Sequence, residues 1–261
     1  MDVIQFPEKL ILTKKELVDF TINNLFSQRG LLITYYDFNA FNYSVKSNEY
    51  FSLIKDSFYA FQDGIGMYLA LKLIFKNIDR IVSTNYFSYL IEKLKEKKVK
   101  IFVVGYNYKK RFIEQKFREK NIYLAGYYHG FFNKHEMIHL INKIKNSKAE
   151  FVFIGMGKPR QEFVAYNLRK YLPHLNYLCV GDFFNYYLGL KKRAPLWIRN
   201  LELEWFYRII NEPVRLSERY ISGIPFFIYN VLSFTIKMNL SRGQVNYEQT
   251  SSDNIFINSS F

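Results

Sequence analysis

Three segments hold residue types whose spacing suits chemistry. Asp63-Gly64-Ile65-Gly66 falls at the expected end of a strand and opens a helix. A carboxylate there lies at the rim of a sheet, where it can take a proton from a bound hydroxyl. The two glycines let backbone N–H groups approach a ligand closely. Asp-Gly is also ordinary turn chemistry, so this segment alone leaves both readings open. Gly155-Met156-Gly157-Lys158-Pro159-Arg160-Gln161-Glu162 likewise follows a strand and opens a helix. Pro159 suits a first helical turn and Glu162 complements the helix dipole. Lys158 and Arg160, beside free N–H groups, suit phosphate or sugar oxygens. A capped helix start without a ligand fits equally, and Arg160 at the third glycine position excludes a dinucleotide fingerprint. In residues 181–219, Arg193, Arg208, Arg215 and Arg219 stand among Glu204-Trp205, Tyr207 and Tyr220. Arg208, Arg215 and Arg219 would share one face of a continuous helix, and a row of guanidinium groups suits a diphosphate. Pro213 argues against that continuity, and a solvated basic face is the plain alternative.

These segments need elements to position them. Between residues 31 and 185 short β-rich runs alternate with amphipathic stretches. Strands are expected at 31–36, on the run into 62, and at 99–104, 122–124, 151–154 and 177–180, with a short extended piece at 80–83. Helices are expected at 48–59, 65–75, 86–97, 109–120, 135–146 and 159–171. Apolar runs between helices of this length argue for βαβ units, hence a Rossmann-like parallel α/β sheet with helices on both faces. Glycines just after strand ends suit ligand-facing turns at the carboxyl edge of such a sheet. Past residue 189 the character changes. Helices at 201–210 and 214–220 lead into an apolar, aromatic run at 221–236. The expected organisation is an α/β core at 1–195, a helical aromatic and basic appendage at 196–238, and a polar, disordered tail at 239–261.

Composition narrows the partners. Lys plus Arg number 37 against 23 acidic residues, a net charge of +14, which favours polyanions: nucleic acid, anionic lipid or diphosphates. No RNP-like or helix-turn-helix pattern supports nucleic acid. The single cysteine, Cys179, excludes a disulfide framework and reads as a buried small hydrophobe in a reduced, cytoplasmic setting. His135 and His139 stand four apart with no third ligand nearby, so no metal site is expected. No signal peptide is apparent at the N-terminus. The uncharged run between Arg219 and Lys237 is short for a span and is broken by Gly223 and Pro225. It is expected to lie on a membrane, and its apolar character leaves self-association open.

The three segments, in this order, resemble the WecG/TagA/CpsF family, glycosyltransferase family 26. Asp63-Gly-Ile-Gly is similar to the family's D-G-x-G motif, and Gly155-x-Gly-x-Pro-Arg-Gln-Glu to its G-x-G-x-P-[KR]-Q-E motif. Arg193-Ala-Pro, Leu203-Glu-Trp-Phe-Tyr-Arg and Glu212-Pro-x-Arg-Leu-x-x-Arg-Tyr resemble the closing signature. The resemblance implies an inverting, metal-independent transferase. It would move a sugar, N-acetylmannosamine-like or a related hexose, from a UDP-sugar to an undecaprenyl-diphosphate-linked saccharide in cell-surface polysaccharide synthesis. It implies Asp63 as the base and Gln161 in the sugar pocket. Arg208, Arg215 and Arg219 would hold the donor diphosphate, and the appendage would dock on the inner face of the membrane. Gly64, Gly66, Gly155, Gly157, Lys158, Arg160 and Arg193 fall within the matching motifs. The sequence departs at four places. Asp37 and Tyr35 stand where the family shows Asn and Thr, with Asn39 and Asn42 close enough to substitute. Asn185 replaces Asp, and Glu202 replaces Gly. These departures leave the sugar open, and a catalytically silent, membrane-associated member is the reading they would favour instead.

Overall fold

Runs buried on both faces belong inside a parallel sheet covered by helices. The most apolar runs here, Ile101–Gly105 and Phe151–Gly155, pair side by side with every residue buried. The computed structural model describes residues 6–133 and 135–249. In chain order its first elements are β1 (Leu10–Ile11), α1 (Lys14–Phe20) with a π-helical turn at Thr21–Leu25, β2 (Leu32–Tyr36), α2 (Phe38–Lys46), α3 (Asn48–Ser57) and β3 (Phe58–Gln62). Next come α4 (Ile65–Lys72), α5 (Ser83–Glu96), β4 (Ile101–Gly105), α6 (Lys110–Glu119), β5 (Leu124–Tyr128), α7 (Met137–Ser147) and β6 (Phe151–Gly155). The chain then runs through α8 (Arg160–Tyr171), β7 (Asn176–Cys179), α9 (Phe183–Tyr187), α10 (Leu196–Asn200), α11 (Glu204–Asn211), α12 (Pro213–Ile221) and α13 (Gly223–Gln249).

Among the described residues the seven strands form one parallel sheet in the order β1-β3-β2-β7-β6-β4-β5. The expected α/β sheet with helices on both faces is therefore present. Side chains alternate between faces with the period of two that strands impose. In β4, Phe102 and Val104 join the core beneath α2, α3, α4, α7, α8 and α13, whereas Ile101 and Val103 join the core beneath α1, α5, α6 and α9. Cys179 is fully buried in the first of these cores.

Because every strand points the same way, the loops after β2, β3, β6 and β7 emerge at one edge. The register Tyr36↔Gln62 makes Asp37 and Asp63 the next residues on neighbouring strands, and Asp63 N–H donates to Tyr36 O at 3.1 Å. Asp37 also ends β2, since its carboxylate caps α2 by accepting from Ala40 N–H at 2.9 Å.

Several expectations need correction. Helix α2 occupies a stretch to which the sequence assigned no element, and α1 and β1 precede the expected first strand. Residues 80–82 carry no regular structure and Ser83 already opens α5. Pro213 begins α12, so Arg208 and Arg219 lie on two helices and not on one continuous face. Helix α13 runs through Gln249, past the expected start of the polar tail, and residues 250–261 lie outside the described residues. No described helix is long and apolar enough to cross a membrane.

Candidate active site

The carboxyl edge of β2 and β3 faces a cavity of about 640 Å³ whose other walls are α4, the loop ahead of α5, and the appendage helices α11, α12 and α13. Asp37, Asp63, Gly64, Gly66, Arg80, Ser83, Glu202, Glu204, Arg208 and Arg219 all line it. Four carboxylates and three arginines thus meet in one space from elements far apart in sequence.

Asp63 is held by the start of α5. Its Oδ1 accepts from Ser83 N–H at 2.8 Å and its Oδ2 from the Ser83 hydroxyl at 2.9 Å. Burial pushes its carboxyl above the ordinary carboxylate range. The Ser83 bonds and Lys158 pull the other way, and the charge of Asp37 adds to the rise. A carboxylate raised in this way is a stronger base than a free one. Gly64 caps α4 with φ 81°, and nothing lies within 4 Å of where its Cβ would be, which leaves the backbone in front of Asp63 open.

Asp37 behaves oppositely. Burial would raise it, but Lys158 and Arg219 outweigh that and hold it below the ordinary range. Arg219 reaches across from α12 to donate to Asp37 Oδ2 at 2.6 Å, and Lys158 Nζ lies 3.5 Å from Oδ1. Lys158 Nζ also rests over the Tyr35 ring, 2.9 Å from its centroid, and Arg219 stacks on Phe38 at 5.2 Å. The replacements at positions 35 and 37 therefore form one cluster with Lys158, in which each charge has a partner.

The arginines carry the site's electrostatics. Arg208 pairs with Glu204 at 3.0 Å, and Glu204 also receives Arg193 through two bonds of 3.1 and 3.2 Å. Arg80 pairs with Glu202. Glu202 takes the left-handed φ of 64°, a conformation that glycine adopts freely. The Nε–H groups of Arg80, Arg208 and Arg219 are buried without a hydrogen-bond partner in the protein. A buried unmet donor costs about 1–3 kcal/mol, and Glu202 Oε2 is an unmet acceptor beside them.

The family model for the WecG/TagA/CpsF glycosyl transferases matches residues 3–240. The chain belongs to this family. Among its curated relatives is the N-acetylglucosaminyldiphosphoundecaprenol N-acetyl-beta-D-mannosaminyltransferase of Bacillus subtilis. It is 32% identical over 195 residues, covering 72% of this chain and 74% of the relative. The enzyme of the same name from Bacillus spizizenii is 30% identical over 193 residues, with the same coverage.

Within this family member, the residues singled out from sequence fall into three places. Asp37, Asp63, Gly64, Gly66, Arg208 and Arg219 line the cavity. Lys158 stands behind it on Asp37, and Gly157 opens the same loop with φ 76° and free space where a Cβ would be. The other described side chains are not part of its lining. Gln161 is fully buried, donating to Glu162 Oε1 at 2.9 Å and accepting from Gly181 N–H at 3.1 Å, so it braces β7 against α8. Arg160 donates to Phe132 O at 2.7 Å. A Cβ on Gly155 would strike Tyr106 and Gly181, so its role is close packing of strand ends. Asn39 is half-buried on α2, Arg193 braces Glu204 and Asn85, and the Arg215 side chain lies outside the described residues. Asn185 accepts from Tyr108 O–H at 3.1 Å and shapes the turn after β7. Sequence reasoning missed Arg80 and Ser83. Ser83 had a signal, a serine at a helix start, whereas Arg80 lies in an irregular loop and had none. Among the described residues no group of three His, Cys, Asp or Glu side chains is placed to hold a metal ion.

Proposed function

We propose that this chain is an inverting transferase. It moves an N-acetylmannosamine-like or related hexose from a UDP-sugar to an undecaprenyl-diphosphate-linked saccharide, in cell-surface polysaccharide synthesis. The observation that carries this reading is the placement of Asp63 in one cavity with Arg80, Arg208 and Arg219. The acceptor hydroxyl oxygen attacks the anomeric carbon and forms the new C–O bond. The bond from that carbon to the UDP oxygen breaks, and UDP leaves with the electron pair. The hydroxyl proton passes to Asp63. Charge grows on the departing diphosphate, and guanidinium groups fixed where water is excluded stabilise it most. Arg208 and Arg219 supply that charge from α11 and α12, with Arg215 a further candidate, so the chemistry is proposed to run without a metal.

The appendage has a second role in this reading. Trp197, Leu201, Phe206, Ile210, Val214, Ile221 and Tyr229 are large apolar side chains exposed on α10 to α13 and the loop between α10 and α11. With the net charge of +14 they suit docking on the anionic inner face of the cytoplasmic membrane. A thermal-shift series tests the donor site. UDP and one UDP-sugar should raise the melting temperature in EDTA, and Arg208→Ala or Arg219→Ala should abolish the shift. Stabilisation that requires Mg²⁺, or that survives both substitutions, would refute the proposed diphosphate site.

A further inference from the structure

The cavity is longer than the chemistry at Asp63 requires. From its polar end it continues between α4 and α13 along Leu69, Leu73, Ile228 and Leu232, all of which line it. Each of these side chains is about half exposed. Leu69 and Leu73 stand four residues apart on and just past α4, and Ile228 and Leu232 four apart on α13, so each pair shares one helix face. The two helices approach at the polar end, where a Cβ on Gly66 would lie 3.7 Å from the Phe227 ring. The result is one cavity with paired carboxylates and arginines at one end and branched aliphatic walls at the other, a match for an amphiphile whose polar head is joined to a hydrocarbon chain.

We propose that this apolar limb binds the isoprenoid segment next to the diphosphate of the lipid-linked acceptor. The proposal rests on the transferase reading above for the identity of the acceptor. It is supported by the continuity of the limb with the arginine-lined end and by its length. At about 1.5 Å per residue, Leu73 lies roughly 12 Å from Ile65 along α4, a span that a sugar and its diphosphate bridge. The first isoprene units then meet Leu73 and Leu232, and the rest of the chain continues into the bilayer.

Binding to the full-length chain in vesicle-free buffer tests this, read by the fluorescence of Trp205, which lines the cavity. The probes are methyl diphosphate and farnesyl diphosphate. Farnesyl diphosphate should bind at least about tenfold more tightly, since even a few buried methylenes carry that ratio. In Leu69→Ser/Leu73→Ser, and separately in Ile228→Ser/Leu232→Ser, the ratio should fall toward one while melting stays cooperative. Equal affinity of the wild type for both probes would overturn the proposal, as would a ratio kept in both variants. So would a preference that appears only when anionic vesicles are added, which would assign the walls to bilayer acyl chains. Because binding is read without turnover, a chain that binds farnesyl diphosphate as expected but transfers no sugar would contradict the transferase reading and not this one.

Discussion

Burial raises the Asp63 carboxyl most, and two neighbours tune it in opposite directions. The Ser83 hydroxyl hydrogen-bonds the ionised form and lowers the Asp63 pKa, whereas the charge of Asp37 raises it. A base must be ionised, so activity is lost as pH falls through its folded pKa. Ser83→Ala should therefore move the acid limb of the kcat/KM profile to higher pH, and Asp37→Asn should move it to lower pH. Shifts in the same direction would exclude Asp63 as the titrating base. Asp63→Asn should keep the wild-type melting temperature and lose on the order of 10²-fold or more in transfer rate. Near-normal turnover in that variant would remove the base assignment. Asp37 also has a structural effect of its own. As the cap of α2 and the partner of Arg219, it ties the appendage to the sheet rim. Its carboxyl is held low, so that tie is intact above the unfolded carboxylate pKa and is lost as pH falls through the lower folded value.

At the scale of elements, the carboxyl edge is set by strand ends that touch. Gly105 takes φ 135° against the backbone of Gly155, and an added Cβ would come closer to that backbone than real side chains do. Gly105→Ala should therefore destabilise the fold by more than about 1 kcal/mol in denaturant titration. Gly66→Ala meets only the Phe227 ring at ordinary contact distance inside α4 and should raise stability by up to about 1 kcal/mol. Wild-type stability in the first variant, or a large loss in the second, would contradict this packing. The sheet was legible in the sequence because buried parallel strands are apolar without interruption, as at Ile101–Gly105 and Phe151–Gly155. Helix α2 was not legible, because Phe38-Asn39-Ala40-Phe41-Asn42-Tyr43 is rich in aromatic and Asn residues of weak helix propensity. It is held by the Asp37 cap and by Asn42, which donates to Gly223 O at 2.8 Å. Asp63, Arg208 and Arg219 could be found from motifs, whereas Arg80 lies in an irregular loop and the burial of Gln161 depends on Gly181 N–H, a partner distant in sequence.

At the largest scale a sheet edge is closed over by an apolar appendage that carries Arg208 and Arg219. Its closure uses ion pairs between core and appendage, among them Asp37–Arg219, Arg80–Glu202, Lys191–Glu212 and Arg193–Glu204. Truncation before Glu204 should remove sugar transfer and pelleting with anionic liposomes together. If the truncated chain still pellets, membrane docking belongs to another surface. The most direct test of the central claim is a transfer assay in EDTA, with the full chain, UDP-N-acetylmannosamine and N-acetylglucosaminyl-diphospho-undecaprenol in anionic vesicles. The account predicts release of UDP and a disaccharide-linked lipid whose new bond has the anomeric configuration opposite to the donor's. Retention of the donor configuration, or no transfer from any of a panel of UDP-sugars to this acceptor, would contradict it.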